Sequence, residues 1–122
     1  MLEIKNLTVG YKEKEVLRGI HLSVDSGEIL GICGESGTGK TTLGLALMGV
    51  LRERNSNVRV SGELLLNNRD LLTMPTEDVR KMQWKNIGMI FQNVATALNP
   101  VMSVIDQVAE PLITRCGGSR KT

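Results

Sequence analysis

Apolar and charged positions alternate in the first part of the chain. Residues 2–9 follow this alternation and are predicted to form a half-buried strand, and residues 20–24 repeat it. Gly10 and the polar run 12–15 lie between the two segments and predict a turn. The chain therefore opens with strands of the antiparallel type, with one face toward solvent.

A different pattern follows a predicted turn at Ser26-Gly27. Residues 28–33 are short and mostly apolar, which is typical of a central strand buried on both faces. The apolar segment after Lys40 has no breaker except Gly44 and predicts a helix. The order of strand, loop and helix is typical of an α/β protein.

The rest of the chain adds both kinds of element to this plan. The pattern predicts a surface loop over 52–57, a strand over Val58–Leu66, a turn at Asn67-Asn68, a helix capped by Thr76, a buried strand over 87–91 and a helix over 103–113 that Pro111 ends or kinks. The whole order predicts a mixed α/β core with an attached small antiparallel sheet.

Composition excludes some classes of function. The chain has 122 residues with 41% hydrophobic and 23% charged content, which is typical of a folded globular domain. A net charge of +2 and three aromatic residues give no support to nucleic-acid binding. The longest uncharged stretch, 41–51, is too short to span a bilayer. Cys33 and Cys116 have neither metal-ligand nor redox-pair spacing, so both are expected to stay reduced.

The segment 34–41 fits the phosphate-binding motif G-x-x-x-x-G-K-S/T at every fixed position. Its glycines allow the backbone N–H groups to turn toward phosphate oxygens, and the helix after it adds a positive N-terminal dipole. Lys40 is expected to reach the β- and γ-phosphates, and the Thr41 hydroxyl to bind Mg²⁺. The residues assigned to the nucleotide here are Gly34, Glu35, Ser36, Gly37, Thr38, Gly39, Lys40, Thr41 and Thr42.

This motif alone does not choose among GTPases, kinases and ATPases. A GTPase needs N-K-x-D to recognise guanine, and the nearest string here is the segment 67–70, which reads N-N-R-D. That string lacks the lysine and lies too close to the phosphate loop, so we interpret it as a turn.

The wider sequence resembles a known family. Segments 26–28 and 30–33, followed by the motif, resemble the nucleotide-binding subunits of ABC transporters. Segments 89–92 (M-I-F-Q) and 98–102 (L-N-P-V-M) narrow the resemblance to the ATPases of oligopeptide, dipeptide and nickel permeases. The resemblance covers essentially the whole chain. It implies a partial P-loop NTPase core with an attached antiparallel β subdomain, and ATP and Mg²⁺ as ligands.

The resemblance also assigns two residues outside the motif. Tyr11 matches the aromatic residue that stacks on adenine in the family, and Gln92 matches the glutamine that approaches Mg²⁺ and the attacking water. Gln92 is thus the expected catalytic residue and a second metal-site residue, in a loop that contacts the membrane subunits. The sequence departs from the family pattern at Asn93 and Val94, where an acid and a proline are usual, and at Ala97, where serine is common.

Other family motifs do not occur in these 122 residues. A Walker B segment has four apolar residues before Asp and Glu, and none of the four aspartates, at 25, 70, 78 and 106, has that setting. The segment 116–119 has the paired glycines of the L-S-G-G-Q signature but not its serine or glutamine. The only histidine, His21, is predicted to face solvent on its strand. We therefore expect residues 1–122 to be the N-terminal portion of an ABC nucleotide-binding domain, as in a truncated product or fragment.

The function implied by the resemblance is an ATP-binding subunit that couples ATP hydrolysis to the import of peptides or similar small cargo. Transmembrane permease subunits and a second ATP-binding subunit are the expected partners, at the cytoplasmic face of the cell membrane. Two alternatives remain: a nucleotide-binding fragment without catalysis, and an ABC-type ATPase that acts on DNA or ribosomes and not in transport.

Overall fold

The structure is a computed structural model that describes residues 1–51, 57–93 and 98–115. It contains two compact units, the first over Met1–Val79 and the second from Arg80 onward. The predicted loop over 52–57 lies outside the described residues except for Asn57.

The first unit contains a four-stranded antiparallel sheet. Its strands are β1 (Leu2–Tyr11), β2 (Lys14–Val24), β3 (Val58–Leu66) and β4 (Arg69–Asp70), in the order β2-β1-β3-β4. Strand β3 has the bounds predicted from the sequence. Strand β2 begins at Lys14, so the prediction of a turn through residue 15 was wrong: a two-residue loop with Lys12 at φ 54° already reverses the chain.

The buried side chains of the sheet are centred on strand β1. Ile4, Leu7 and Val9 of β1 are at most 1% exposed, and Leu17 of β2 and Leu64 of β3 are buried beside them in the sheet. Because β1 pairs with both neighbours, its alternating apolar positions find apolar partners on both sides.

Two asparagine-containing segments shape the sheet. At Asn6, with φ 51°, the pairing register of β1 shifts, and Gly62 of β3 lies so close that a Cβ there would come within 2.4 Å of the Asn6 carbonyl oxygen. At the other end, Asn67 and Asn68 have φ of 49° and 62° and join β3 to β4 in a two-residue turn. Positive φ at both central residues is typical of a type I′ turn, so the predicted turn is confirmed.

Three described helices have the bounds α1 Lys40–Leu47, α2 Thr76–Lys85 and α3 Val104–Arg115. Helix α2 begins at Thr76 itself, so this residue lies inside the first turn and not at the cap as predicted; the Pro75 carbonyl accepts the N–H groups of Asp78 and Val79. The Ser103 hydroxyl caps α3 by accepting the N–H of Asp106 at 3.2 Å. Helix α3 continues past Pro111, so that residue does not end it.

The structure contradicts the two predicted buried strands. Residues 28–33 and 87–91 have no assigned strand, and Ile29 and Ile90 are 96% and 94% exposed. A strand of the parallel type is stabilised by neighbours in its sheet and by helices on both faces. Among the described residues, the paired strands are only those of the antiparallel sheet. Both segments are rich in apolar residues, as expected, but a buried strand also requires neighbouring strands and helices, which composition alone does not reveal.

Candidate functional site

The phosphate loop connects the exposed segment 28–33 to helix α1. Residues 34–38 are exposed, and the loop turns at Gly37 and Gly39, which have φ of 82° and 98°. Both angles lie in the left-handed region, where a side chain is strained and glycine is not. The loop therefore needs glycine at these two positions for its backbone path alone.

The Lys40 side chain folds back over the loop. Its ammonium group donates hydrogen bonds to the carbonyl oxygens of Gly34 at 2.6 Å and Glu35 at 2.5 Å, and to the Thr38 hydroxyl at 3.3 Å. The Thr38 hydroxyl in turn donates to the Glu35 carbonyl at 2.9 Å. A positive charge is thus held at the centre of the loop by the loop's own oxygen atoms.

The first turn of α1 suits an anion. Gly39 occupies the cap position without a side-chain hydrogen bond, and no acidic residue lies in the first turn. The N–H groups at this end and the helix dipole are therefore available to a phosphate group. Thr41 is exposed and Thr42 is half-buried in the same turn. The donor set of N–H groups, ammonium and hydroxyls fits a nucleotide phosphate with its Mg²⁺.

Gly39 also fixes the loop against the antiparallel sheet. A Cβ at this position would lie 2.7 Å from the Leu17 Cδ2 and 3.2 Å from the Val16 Cγ1, both on β2. Tyr11 is half-buried at the end of β1 and pairs with Lys14 of β2. Lys14 and Val16 are two residues apart, about 7 Å along a strand. The first unit thus places the Tyr11 end of the hairpin near the phosphate loop.

Gln92 lies in the second unit, at an exposed bend after Phe91. The predicted site residues that the first unit assembles are therefore the phosphate-loop residues and Tyr11, and Gln92 is not one of them. Of the departures from the family pattern, Asn93 is exposed, while positions 94 and 97 lie outside the described residues.

One residue of the second unit was not identified from the sequence. Gln107 of α3 accepts the Asn99 N–H at 2.7 Å and donates to the carbonyl oxygens of Asn99 at 3.0 Å and Met102 at 3.1 Å. These bonds fasten residues 99–102 to the helix. The sequence contains no specific signal for it, because Gln107 is one of several polar residues in this helix, next to Asp106 and before Glu110, and such residues more often mark a solvent-facing side.

The described cysteine and histidine residues do not form a second ligand-binding site. In the described part of the chain, no group of three or more His, Cys, Asp or Glu side chains is arranged so that it could hold a metal ion. Cys33 is a free, exposed thiol, and Cys116 lies outside the described residues. His21 is exposed, as predicted, and its Nδ1 accepts the Asn6 N–H at 3.4 Å. None of the described helices is both long and apolar enough to cross a bilayer.

Two solved structures share the fold of this chain. One is a dimeric ATP-binding cassette in a post-hydrolysis state bound to ADP and Pi, and the other a dimeric bacterial ABC transporter cassette. Each has a TM-score of 0.80 and 26% sequence identity, over 99% of this chain and 50% of the solved chain. The chain therefore has part of the fold of an ATP-binding cassette, which confirms the predicted partial α/β core with its antiparallel subdomain.

Sequence comparison gives the family. The family described as ABC transporter matches residues 17–121, and the chain belongs to it. Among curated relatives, the oligopeptide transport ATP-binding protein OppD of Bacillus subtilis is 36% identical over 92% of this chain, and the dipeptide transport ATP-binding protein DppD of Haemophilus influenzae is 39% identical over 99%. The chain covers 32% and 37% of these relatives, about a third of their length. The predicted resemblance to oligopeptide and dipeptide permease ATPases is confirmed.

Proposed function

We propose that residues 1–122 form the N-terminal portion of the nucleotide-binding domain of an ABC transporter subunit, and that they bind Mg-ATP. The observation that carries this proposal is the Lys40 ammonium, which three oxygen atoms of the loop hold beside the uncapped N-terminus of α1. A cation and unpaired helix N–H groups in one exposed loop suit the β- and γ-phosphates.

The remaining site residues have distinct proposed roles. Thr41 would provide a hydroxyl ligand to the Mg²⁺ that accompanies the nucleotide, and the ring of Tyr11 would stack on adenine. Magnesium is usually held by few protein groups together with substrate phosphates, which agrees with one hydroxyl ligand from Thr41 and with Gln92 as the second proposed metal-site residue. When bound, Mg²⁺ neutralises charge on the phosphate oxygens. Gln92 would orient the attacking water, since its amide donates and accepts hydrogen bonds but is too weak a base to take the proton.

We further propose that the whole protein couples ATP hydrolysis to the import of peptides or similar small cargo. The names of the oligopeptide and dipeptide transport relatives support this cargo class. Permease subunits in the membrane would contact the Gln92 region, so the protein would lie at the cytoplasmic face. Several exposed apolar side chains in the second unit offer surface for such a contact, namely Phe91, Leu98, Val101, Val104 and Ile105. A second ATP-binding subunit would complete the pair, as the dimeric cassettes suggest.

One sequence feature favours a second candidate, a nucleotide-binding fragment without catalysis. Hydrolysis needs an acid that helps to hold the metal and a group that activates water, and the Walker B segment that supplies them in the family does not occur in residues 1–122. We therefore expect these residues alone to release phosphate from Mg-ATP no faster than the Lys40→Ala variant. Turnover that disappears in this variant would reveal a catalytic group outside those assigned here.

Binding itself is tested by titration of the purified chain with Mg-ATP. We expect saturable binding of Mg-ATP, and we expect Lys40→Ala to weaken it. Removal of Mg²⁺ should weaken ATP binding less in Thr41→Ala than in the unchanged chain. Lys85→Ala, which alters an exposed lysine on α2, is the matched control for loss of one positive charge. If Lys40→Ala and Lys85→Ala bind alike, the phosphate-loop assignment is wrong.

A further inference from the structure

The hydroxyl of Thr38 lies between two groups of the phosphate loop. It accepts a hydrogen bond from the Lys40 ammonium at 3.3 Å and donates one to the Glu35 carbonyl at 2.9 Å. An ammonium group has three N–H donors, and the Gly34 and Glu35 carbonyls take the other two. Thr38 therefore completes the set of acceptors around Lys40 and is the only side chain in it.

Gly34 makes room for this arrangement. A Cβ at position 34 would lie 3.0 Å from the Thr38 Oγ1 and 3.9 Å from the Lys40 Nζ. The hydroxyl and the ammonium thus sit directly over the glycine, in space that any other residue would partly fill. Glycine is therefore favoured at position 34 because of this close approach, and not because of an unusual φ angle.

We propose that Thr38 is a positioning residue for Lys40, an inference that rests on the proposed nucleotide binding. The hydroxyl holds the flexible lysine stem over the loop before a nucleotide arrives, which lowers the entropy lost on binding. When a nucleotide binds, a β- or γ-phosphate oxygen takes the place of one carbonyl acceptor, while Lys40 keeps its contact to the Thr38 hydroxyl, so that the hydroxyl also stabilises the bound state.

The test compares Thr38→Val, which removes the hydroxyl at constant shape, with Thr38→Ser, which keeps it. Affinities for Mg-ATP and for AMP are measured by NMR titration, since AMP lacks the phosphates that Lys40 serves. Loss of one hydrogen bond to a charged group predicts that Thr38→Val binds Mg-ATP about tenfold more weakly. AMP affinity should stay within about twofold, and Thr38→Ser should bind both nucleotides like the unchanged chain, on the same order-of-magnitude scale.

A matched control distinguishes positioning from general damage to a turn. Thr73 donates its hydroxyl to the Asp70 carbonyl three residues earlier, as Thr38 does to Glu35, but no lysine is bonded to it. Thr73→Val should leave both affinities unchanged.

Three outcomes would overturn the proposal. Equal losses of ATP and AMP affinity in Thr38→Val would mean that the loop as a whole is disturbed. Unchanged ATP affinity in Thr38→Val, together with a loss in Lys40→Ala, would overturn this inference and leave the proposed function standing. Absence of Mg-ATP binding by the unchanged chain would overturn both.

Discussion

Two apolar regions of the first unit have opposite environments. Leu7 and Leu64, in the antiparallel sheet, are completely buried, whereas Ile29, in the segment that leads into the phosphate loop, is 96% exposed. Both regions are rich in residues that favour strands. Hydrophobicity alone therefore does not explain which region is buried.

The difference lies in where each region finds its partner. Strands β1 and β2 are joined by a two-residue loop, so each supplies the other's hydrogen bonds and apolar contacts from nearby sequence. A strand of parallel type needs a neighbour that returns after a long crossover connection. Stability should accordingly be concentrated in the sheet, and the segment 28–33 should contribute little of it.

The largest expected effect tests this comparison directly. Leu7→Ala should lower the free energy of unfolding by about 2–5 kcal/mol, because it leaves a cavity in the core. Ile29→Ala should change it by less than about 0.5 kcal/mol, since an exposed side chain loses few contacts. Urea unfolding of both variants measures the difference. Similar losses would show that residues 28–33 are buried in solution.

The second prediction separates the effect of a substitution on Mg-ATP binding from its effect on the stability of the fold. Lys40→Ala removes a charge with three hydrogen bonds inside the exposed loop, and should weaken Mg-ATP binding by about tenfold to a hundredfold. The unfolding midpoint in urea should not change, because Lys40 contributes nothing to the sheet. A parallel loss of binding and stability would mean that loop and sheet form one cooperative structure.

Tyr11 belongs to the sheet by position and to the site by proposed role. Stacking of a base on an aromatic ring is worth about 1–3 kcal/mol, so Tyr11→Ala should weaken ATP binding about tenfold or more. Tyr11→Phe keeps the ring face and should bind normally. Isothermal titration compares the three proteins, and equal affinities would exclude Tyr11 from the site.

The smallest expected effect concerns the second unit, where side-chain hydrogen bonds of Gln107 hold residues 99–102 against helix α3. Gln107→Met keeps the length of the side chain but removes its three bonds to residues 99–102. The Asn99 amide hydrogen should then exchange about five to ten times faster, as the loss of about 1 kcal/mol implies. Val108→Ala, at an exposed position on the same helix, is the control. Unchanged exchange in Gln107→Met would show that other contacts hold this loop.

Local sequence signals predicted most of the fold. The bounds of β3 and the turn at Asn67-Asn68 follow from alternation and turn chemistry, both of which act over a few residues. Residues 28–33 were placed wrongly because the burial of a central strand depends on distant partners. The helix predicted at Thr76 corresponds to α2, whose acidic first turn and basic last turn are likewise local signals.

For the candidate site, the sequence predicted which residues form the phosphate loop but not the contacts that they make. Motif spacing identified residues 34–42 as the candidate phosphate loop, since the glycines and Lys40 have fixed positions in it. Spacing gives no information on contacts between side chains and carbonyl oxygens. It could not show the bridging hydroxyl of Thr38, the fit of Gly39 against Leu17, or the three bonds made by Gln107.

The fit of Gly39 against β2 has a consequence for how this loop can evolve. Two separate requirements act on that residue: the loop path, which needs φ near 98°, and the packing, which leaves 2.7 Å between a Cβ and the Leu17 side chain. Only the first is tied to phosphate. In a descendant that no longer binds nucleotide, selection on Lys40 would relax, while the packing would continue to select glycine at position 39. Retention of that glycine is therefore poor evidence of nucleotide binding in a diverged relative, and retention of the lysine is better evidence.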